Sequence, residues 1–221
     1  MRQILVILSA VLPMISFGAA LKTTPENIAP FVGSYLGAGA GLNMQFFKNA
    51  FLEEGTLHWI NFGNDGLSGH LHGGLNYGFN PNSMLGFDVH AQYNGTSPSK
   101  HRHNNILAFS SFQLPWQFGL SAKVGHVYKN NLFYLLAGPE WVQFKNKSVA
   151  DSGASASINQ YQFGGLFGFG LSQNIFPNLN IVEQFSYGIF QGATSTLSNG
   201  DTSTTNNPSD ATVMLALEYH F

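Results

Sequence analysis

Residues 34–46 read Ser34-Tyr35-Leu36-Gly37-Ala38-Gly39-Ala40-Gly41-Leu42-Asn43-Met44-Gln45-Phe46. The even positions from Leu36 to Phe46 are all apolar. The odd positions are Tyr35, three glycines, Asn43 and Gln45. A period of two puts successive side chains on opposite faces of a strand. A strand with one face in water would carry Lys, Glu and Thr on that face. Here the second face carries small and neutral polar residues instead. That combination fits a strand with lipid outside and a narrow, hydrogen-bonding lumen inside.

The same alternation recurs along the chain. Leu67, Leu71, Leu75, Tyr77 and Phe79 alternate with Ser68, His70, His72, Gly74, Asn76 and Gly78. Leu85, Phe87, Val89, Ala91 and Tyr93 alternate with Gly86, Asp88, His90, Gln92 and Asn94. Tyr161, Phe163, Phe167, Phe169 and Leu171 face away from Gln160, Gln162, Gly164, Gly168 and Gly170. The chain closes on Val213, Leu215, Leu217, Tyr219 and Phe221 against Thr212, Glu218 and His220.

Composition supports this reading. Of 221 residues, 9% are charged, 44% hydrophobic and 14% aromatic, with 25 Gly and no Cys. A typical soluble domain is about 25% charged. The apolar content argues against disorder, and the absence of Cys excludes a disulfide scaffold. A formal net charge of −2 leaves no electrostatic footprint for nucleic acid. A mean hydropathy of +0.01 is too low for a bundle of lipid-embedded helices.

The N-terminus reads as an export address. Arg2 precedes an apolar run from Ile4 to Ile15, then Phe17-Gly18-Ala19-Ala20. A basic start, a short apolar stretch and small residues make a secretory signal, with cleavage expected after Ala20. The run falls short of the ~20 residues of a spanning helix, and Pro13 interrupts it. Residues 21–30 are read as a periplasmic lead-in and 31–221 as the barrel. Removing Arg2 shifts the mature net charge to −3 (8 − 11).

A direct parse gives nine strands: 32–46, 67–79, 84–94, 104–114, 116–128, 131–145, 158–173, 179–191 and 211–221. Bacterial single-chain barrels have even counts. Ile106, Ala108, Phe112, Leu114, Trp116, Phe118, Leu120, Ala122, Val124 and Tyr128 share one parity across Pro115. Residues 105–128 are therefore expected to form one long strand, or a strand with an outward extension, kinked near Pro115. The expected fold is an all-β, eight-stranded antiparallel up-and-down transmembrane β-barrel. Its connections then alternate long (47–66), short (80–83), long (95–104), short (129–131), long (146–157), short (174–178) and long (192–210). Short turns face the periplasm. In 131–145, where both parities are apolar, the phase with Glu140 inward is preferred and Gly138-Pro139 invites a bulge. Glu183 shares parity with Ile181, Phe185, Tyr187 and Ile189. It sits either at the periplasmic rim or beyond a bulge.

The chain resembles the small eight-stranded outer-membrane β-barrel family, also described as the porin-like outer membrane protein β-barrel domain. The resemblance covers about 31–221. It is carried by Ser34–Gly41, by Gly119-Leu120-Ser121-Ala122-Lys123-Val124-Gly125, by Leu132–Gly138 and by Met214–Phe221. It implies that Tyr219 and Phe221 belong to the terminal signal read by the barrel insertion machinery. It also implies a monomer in a Gram-negative outer membrane, in contact with outer-membrane lipid and lipopolysaccharide. The family shares no catalytic residues.

The chemistry is concentrated on the inward parity. His70, His72 and Asp88, His90 lie on adjacent strands, and Lys123 and Glu140 on the next pair. These six form the expected polar lumen cluster, with Lys123 paired to Glu140. Three imidazoles could hold a metal, but a hydrogen-bonded interior explains them, and neither metal nor cofactor is expected. A lipid A deacylase would need His-x-Ser with a Glu on the next strand. Here His126-Val127-Tyr128 replaces the Ser with Tyr128, and His126 falls on the lipid side, away from Glu140. No catalytic residue is assigned. Lys100-His101-Arg102-His103 marks a loop tip that could meet anionic lipopolysaccharide or a host glycan. The expected role is structural or surface-interacting: envelope integrity, or adhesion through loops. A lipid-modifying enzyme and a narrow channel or small-ligand carrier are the alternatives.

Overall fold

The structure is a computed structural model that describes residues 28–53, 56–96, 107–150, 155–196, 198, 200 and 202–221. The strands are β1 (Gly33–Glu53), β2 (Thr56–Asn80), β3 (Ser83–Asn94), β4 (Leu107–Gln113), β5 (Trp116–Tyr128), β6 (Asn131–Ala150), β7 (Ser155–Phe176), β8 (Leu179–Phe190), β9 (Ala193–Thr196) and β10 (Thr202–His220). Eight of them close an antiparallel ring in the order β1-β2-β3-β5-β6-β7-β8-β10, with β10 returning to β1. β4 pairs with β6, and β9 with β10, outside the ring.

The register fixes the barrel's dimensions. From Leu132 on β6, directly opposed residues run through Ser172, Val182, Ala216, Gly39, His70, Gln92 and Gln117. The path returns to β6 at Val142, ten residues beyond its start (142 − 132). Eight strands with this stagger tilt by about 40° and enclose a backbone radius of about 8 Å. Side chains fill an interior of that width.

The outer wall is apolar. Leu36, Leu71, Leu75, Phe87, Val89, Val124, Leu135, Phe169 and Leu217 are exposed around the ring. Aromatic residues border this band at both ends, as they do where a barrel meets two membrane interfaces. Tyr93, Trp116, Phe118, Trp141, Tyr161 and Phe163 form the girdle away from the tight turns, the upper one, with ring contacts between 4.8 and 6.5 Å. Tyr77, Phe79, Tyr128, Phe133, Phe176, Tyr219 and Phe221 form the other.

Tight turns join β2–β3, β5–β6 and β7–β8 at the second girdle. Lys129 and Asn178 adopt φ of 58° and 67° there. Two-residue hairpins need such left-handed residues to match the strand twist. At the other end the expected long loops are largely strand, which corrects the sequence reading. β1 and β2 stay paired up to Glu53 and Thr56, β6 and β7 up to Val149 and Ser155. The tract 192–210 supplies β9 and the first half of β10. Most of 95–104, including Lys100-His101-Arg102-His103, lies outside the described residues, as does the cleavage site at Ala20.

β4 and β5 are consecutive partners of β6, so the outward extension is present. The unbroken phase is not. Gln113 opposes Lys145 while Gln117 opposes Val142, so one extra residue is inserted at Leu114-Pro115. In β5 even residues face out; in β4 Phe112 turns inward, followed by Leu114, and both are fully buried. Proline, lacking an N–H, marks this break in the ladder. No bulge forms at Gly138-Pro139. The register with β7 is continuous there, and only the pairing with β5 lapses, between Ala137 and Glu140. Nor does a bulge reset β8 around Glu183, which keeps the outward parity opposite Leu171 and Leu215, four residues beyond Leu179.

Candidate functional site: the barrel interior

The interior has three layers. At the turn end Phe31, Met84, Val127, Leu132, Tyr134, Leu136, Leu166, Val182, Met214 and Ala216 pack together, with Ile28 against them. Phe31 belongs to a short 3-10 turn, Ala29–Phe31, that enters the barrel mouth. Asn76 and Asn180 donate side-chain hydrogen bonds to the carbonyls of Phe31 and Pro30. The end of the expected lead-in, together with Phe31, is thus a stopper. At the opposite end Phe47, Phe112, Leu114, Val142, Phe144, Phe190 and Ala193 form a second apolar cluster. Gln45 secures it by donating to the Leu114 carbonyl and accepting from the Leu114 N–H, each at 3.1 Å.

Charged residues fill the middle. Lys123, 5% exposed, projects from β5. Its Nζ lies 3.2 Å from Asp88 Oδ2, 3.8 Å from Glu218 Oε1 and 2.8 Å from the Tyr35 hydroxyl. It also sits 4.7 Å above the Tyr35 ring and 5.1 Å from the Tyr134 ring. Tyr35 donates to Asp88 at 2.7 Å. Such a buried ammonium is tolerable because its partners replace the lost water.

Imidazoles extend the network. His72 Nε2 is 2.9 Å from Glu218 Oε1, and His220 Nε2 is 3.5 Å from Glu218 Oε2. His90 bridges Asp88 at 3.4 Å and Glu140 at 3.5 Å. Asp210 accepts from Asn43 at 2.7 Å and Gln117 at 2.6 Å. Gly188 makes room where the carboxylates of Asp210 and Glu140 approach. A Cβ there would stand 2.6 Å from Asp210 Oδ1 and 3.1 Å from Glu140 Oε2. Glu140 Oε2 and Ser121 Oγ have no protein partner and face a cavity of about 20 Å³, space for a single water.

His70, His72, Asp88, His90, Lys123 and Glu140 therefore all point inward, and His72 directly opposes His90. Their pairing differs from the expected one. Lys123 engages Asp88 and Glu218, whereas Glu140 engages His90. The register explains this: Lys123 opposes Gly86 and Leu136, leaving its long stem to cross the lumen. His70, His72 and His90 serve separate partners. His70 meets Ser68 at 3.2 Å, and among the described residues no set of His, Asp or Glu is arranged to hold a metal ion. His126 lies on the outer wall against Ser83, at 3.2 Å, on the opposite side of the strand wall from Glu140. Tyr35, Asp210, Glu218 and His220 were not singled out from sequence. Parity already separated Tyr35, Glu218 and His220 from the apolar face, but Asp210 sat in a tract read as loop. Tyr219 and Phe221 face outward in contact at 5.2 Å, and the Phe221 N–H closes the seam by donating to Ser34.

No family model and no curated protein matches the chain. Solved structures do. Neisserial surface protein A (NspA) is 14% identical, with 86% of this chain and 97% of that one aligned at a TM-score of 0.43. Ail, the attachment invasion locus protein of Yersinia pestis, is 16% identical over 86% and 99%, at 0.38. The outer membrane protease OmpT from Escherichia coli is 9% identical over 92% and 100%, at 0.49. The closed ring, its ten-residue stagger and its apolar, aromatic-bordered wall rest on this chain's own register. They make it a small eight-stranded β-barrel of the outer-membrane type.

Proposed function

We propose that the chain is an integral outer-membrane protein whose role is structural or surface-interacting, not pore-forming. The observation that carries this reading is the filled lumen: an ion network held between two apolar clusters. A solute would have to displace Phe31 at one end and Phe112 and Phe144 at the other. The β-strands that continue past the upper girdle give the protein a rigid rim for contact with lipid or with partners outside the cell. Export through the leader ending at Ala20, and insertion read from Tyr219 and Phe221, belong to the same proposal. An enzyme reading has no support in the His126 and Glu140 geometry, because the two residues lie on opposite sides of the wall.

Planar-bilayer recording of the refolded mature chain tests the proposal. The expected trace is closed at all moderate voltages. A stable open level that disappears when the lumen is altered by Lys123→Met would favour the channel alternative.

A further inference from the structure

Two polar side chains of the middle layer converge on one cavity with nothing from the protein to meet them. Glu140 is 1% exposed and Ser121 2%. Glu140 Oε1 meets His90, but Oε2 has no protein partner, and neither has the Ser121 hydroxyl. Both face the cavity of about 20 Å³, whose polar lining also includes Gln92, Gln184 and Ser186.

The charge around this cavity does not close. The middle layer buries four carboxylates, Asp88, Glu140, Asp210 and Glu218, against one lysine. Lys123 is committed to Asp88 and Glu218, and His72 and His220 both sit against Glu218. Glu140 has only His90, which it shares with Asp88. Asp210 has no basic partner among the described residues and is held by the neutral amides of Asn43 and Gln117. Glu140 Oε2 and Asp210 Oδ1 flank the same point beside Gly188. One imidazole therefore serves this whole side of the lumen, and it balances a carboxylate only when protonated. A buried carboxylate without a counter-charge is among the costliest groups a fold can carry.

A water in the cavity would satisfy the two orphaned oxygens and leave the charge. A cation would answer both. Among the described residues no three His, Asp or Glu side chains converge, so the donors do not suit a transition metal. Calcium takes about six to eight oxygens and magnesium keeps several waters, whereas this cavity has room for one water-sized body. Oxygen ligands, one unshared carboxylate oxygen and that size suit a bare monovalent ion.

We propose that the cavity binds a single dehydrated alkali cation, sodium or potassium, between Glu140 Oε2 and the Ser121 hydroxyl. The two apolar clusters close the lumen on either side, so the ion is taken up as the barrel folds. The test refolds the mature protein into a non-ionic detergent in sodium, potassium, caesium or choline chloride at one ionic strength and compares urea unfolding. Sodium or potassium should raise the folded-to-unfolded ratio about tenfold once the ion stands at about ten times its dissociation constant. Caesium and choline, which are too large, should not. Glu140→Gln should abolish this ion dependence and Ser121→Ala should weaken it. Glu183→Gln, which removes a carboxylate from the outer wall, should leave it unchanged. Equal stability in all four chlorides would overturn the proposal and leave a water in the cavity. So would an ion dependence that survives in both lumen variants, or one that vanishes in Glu183→Gln. Should Glu140→Gln fail to fold, Ser121→Ala decides: an undiminished ion dependence there would overturn the site, and a weakened one supports it.

Discussion

Lys123 shows what a single residue contributes here. Its ammonium is shared by Asp88, Glu218 and Tyr35, each from a different strand, so it ties β5 to β3, β10 and β1 across the lumen. Removing one member of a dry ion pair leaves the other uncompensated, at about 3–5 kcal/mol. Lys123→Met should therefore destabilise the barrel by about that amount in denaturant unfolding, with Asp88→Asn partly relieving the loss. The coupling between positions 123 and 88 should be about 1–3 kcal/mol, and that between 123 and 140 much smaller. A larger coupling to Glu140 than to Asp88 would contradict the register of β6. The inward parity of these residues was legible from alternation alone. Their partners were not, because a side chain that crosses the lumen meets residues from strands far away in sequence. Glu183 illustrates the reverse case. Its outward parity on β8 was legible, and the wall holds it there between Leu171 and Leu215 without a bulge.

At the scale of strands, the alternation inverts at the upper girdle. In β6 the inward parity is unbroken, yet Trp141 faces out below the change while Val142 and Phe144 face in above it, opposite Gln143 and Lys145. β1 does the same, with Phe46 outward and Phe47 inward beside Lys48. Lipid demands an apolar exterior; above the lipid, water demands a polar one, and apolar residues retreat inside. Read as one pattern, the inversion looks like the end of a strand, and 47–66, 146–157 and 192–210 look like loops. The polar composition of 146–157 and 192–210 is real, but it reports the solvent and not the backbone. The bulge at Leu114-Pro115 adds a true phase change and delivers Phe112 and Leu114 to the upper cluster. Phe112→Ala should cost about 3–5 kcal/mol in unfolding experiments, the usual toll of emptying a fully buried phenyl site. A loss below about 1 kcal/mol would mean that β4 does not pack into the lumen.

For the whole molecule, the decisive feature is closure. Pairing of β10 with β1 removes the two edges that an open eight-stranded sheet would leave. Closure lets a chain with only 9% charged residues face lipid around its full circumference. The even strand number was legible from the even-count rule together with the three short turns, and the terminal strand from its aromatic alternation. The ten-residue stagger and the two apolar stoppers were not, since both depend on register between strands. Residues 28–31 show why: as a sequence they are the apolar end of the 21–30 lead-in and the first residue of the expected barrel, and only the neighbouring mouth of the barrel turns Phe31 into a plug. The seam is open to a direct measurement because the chain contains no cysteine. Leu42 on β1 opposes Val213 on β10, both on the outer wall, at the two ends of the ring's chain. Leu42→Cys with Val213→Cys should form an intramolecular disulfide in the folded protein under mild oxidation. Leu42→Cys with Phe163→Cys, placed on strands far apart around the ring, should not. Efficient crosslinking of 42 to 213 alone is the result that closure predicts. Failure of that pair to crosslink in folded, heat-modifiable protein would contradict it.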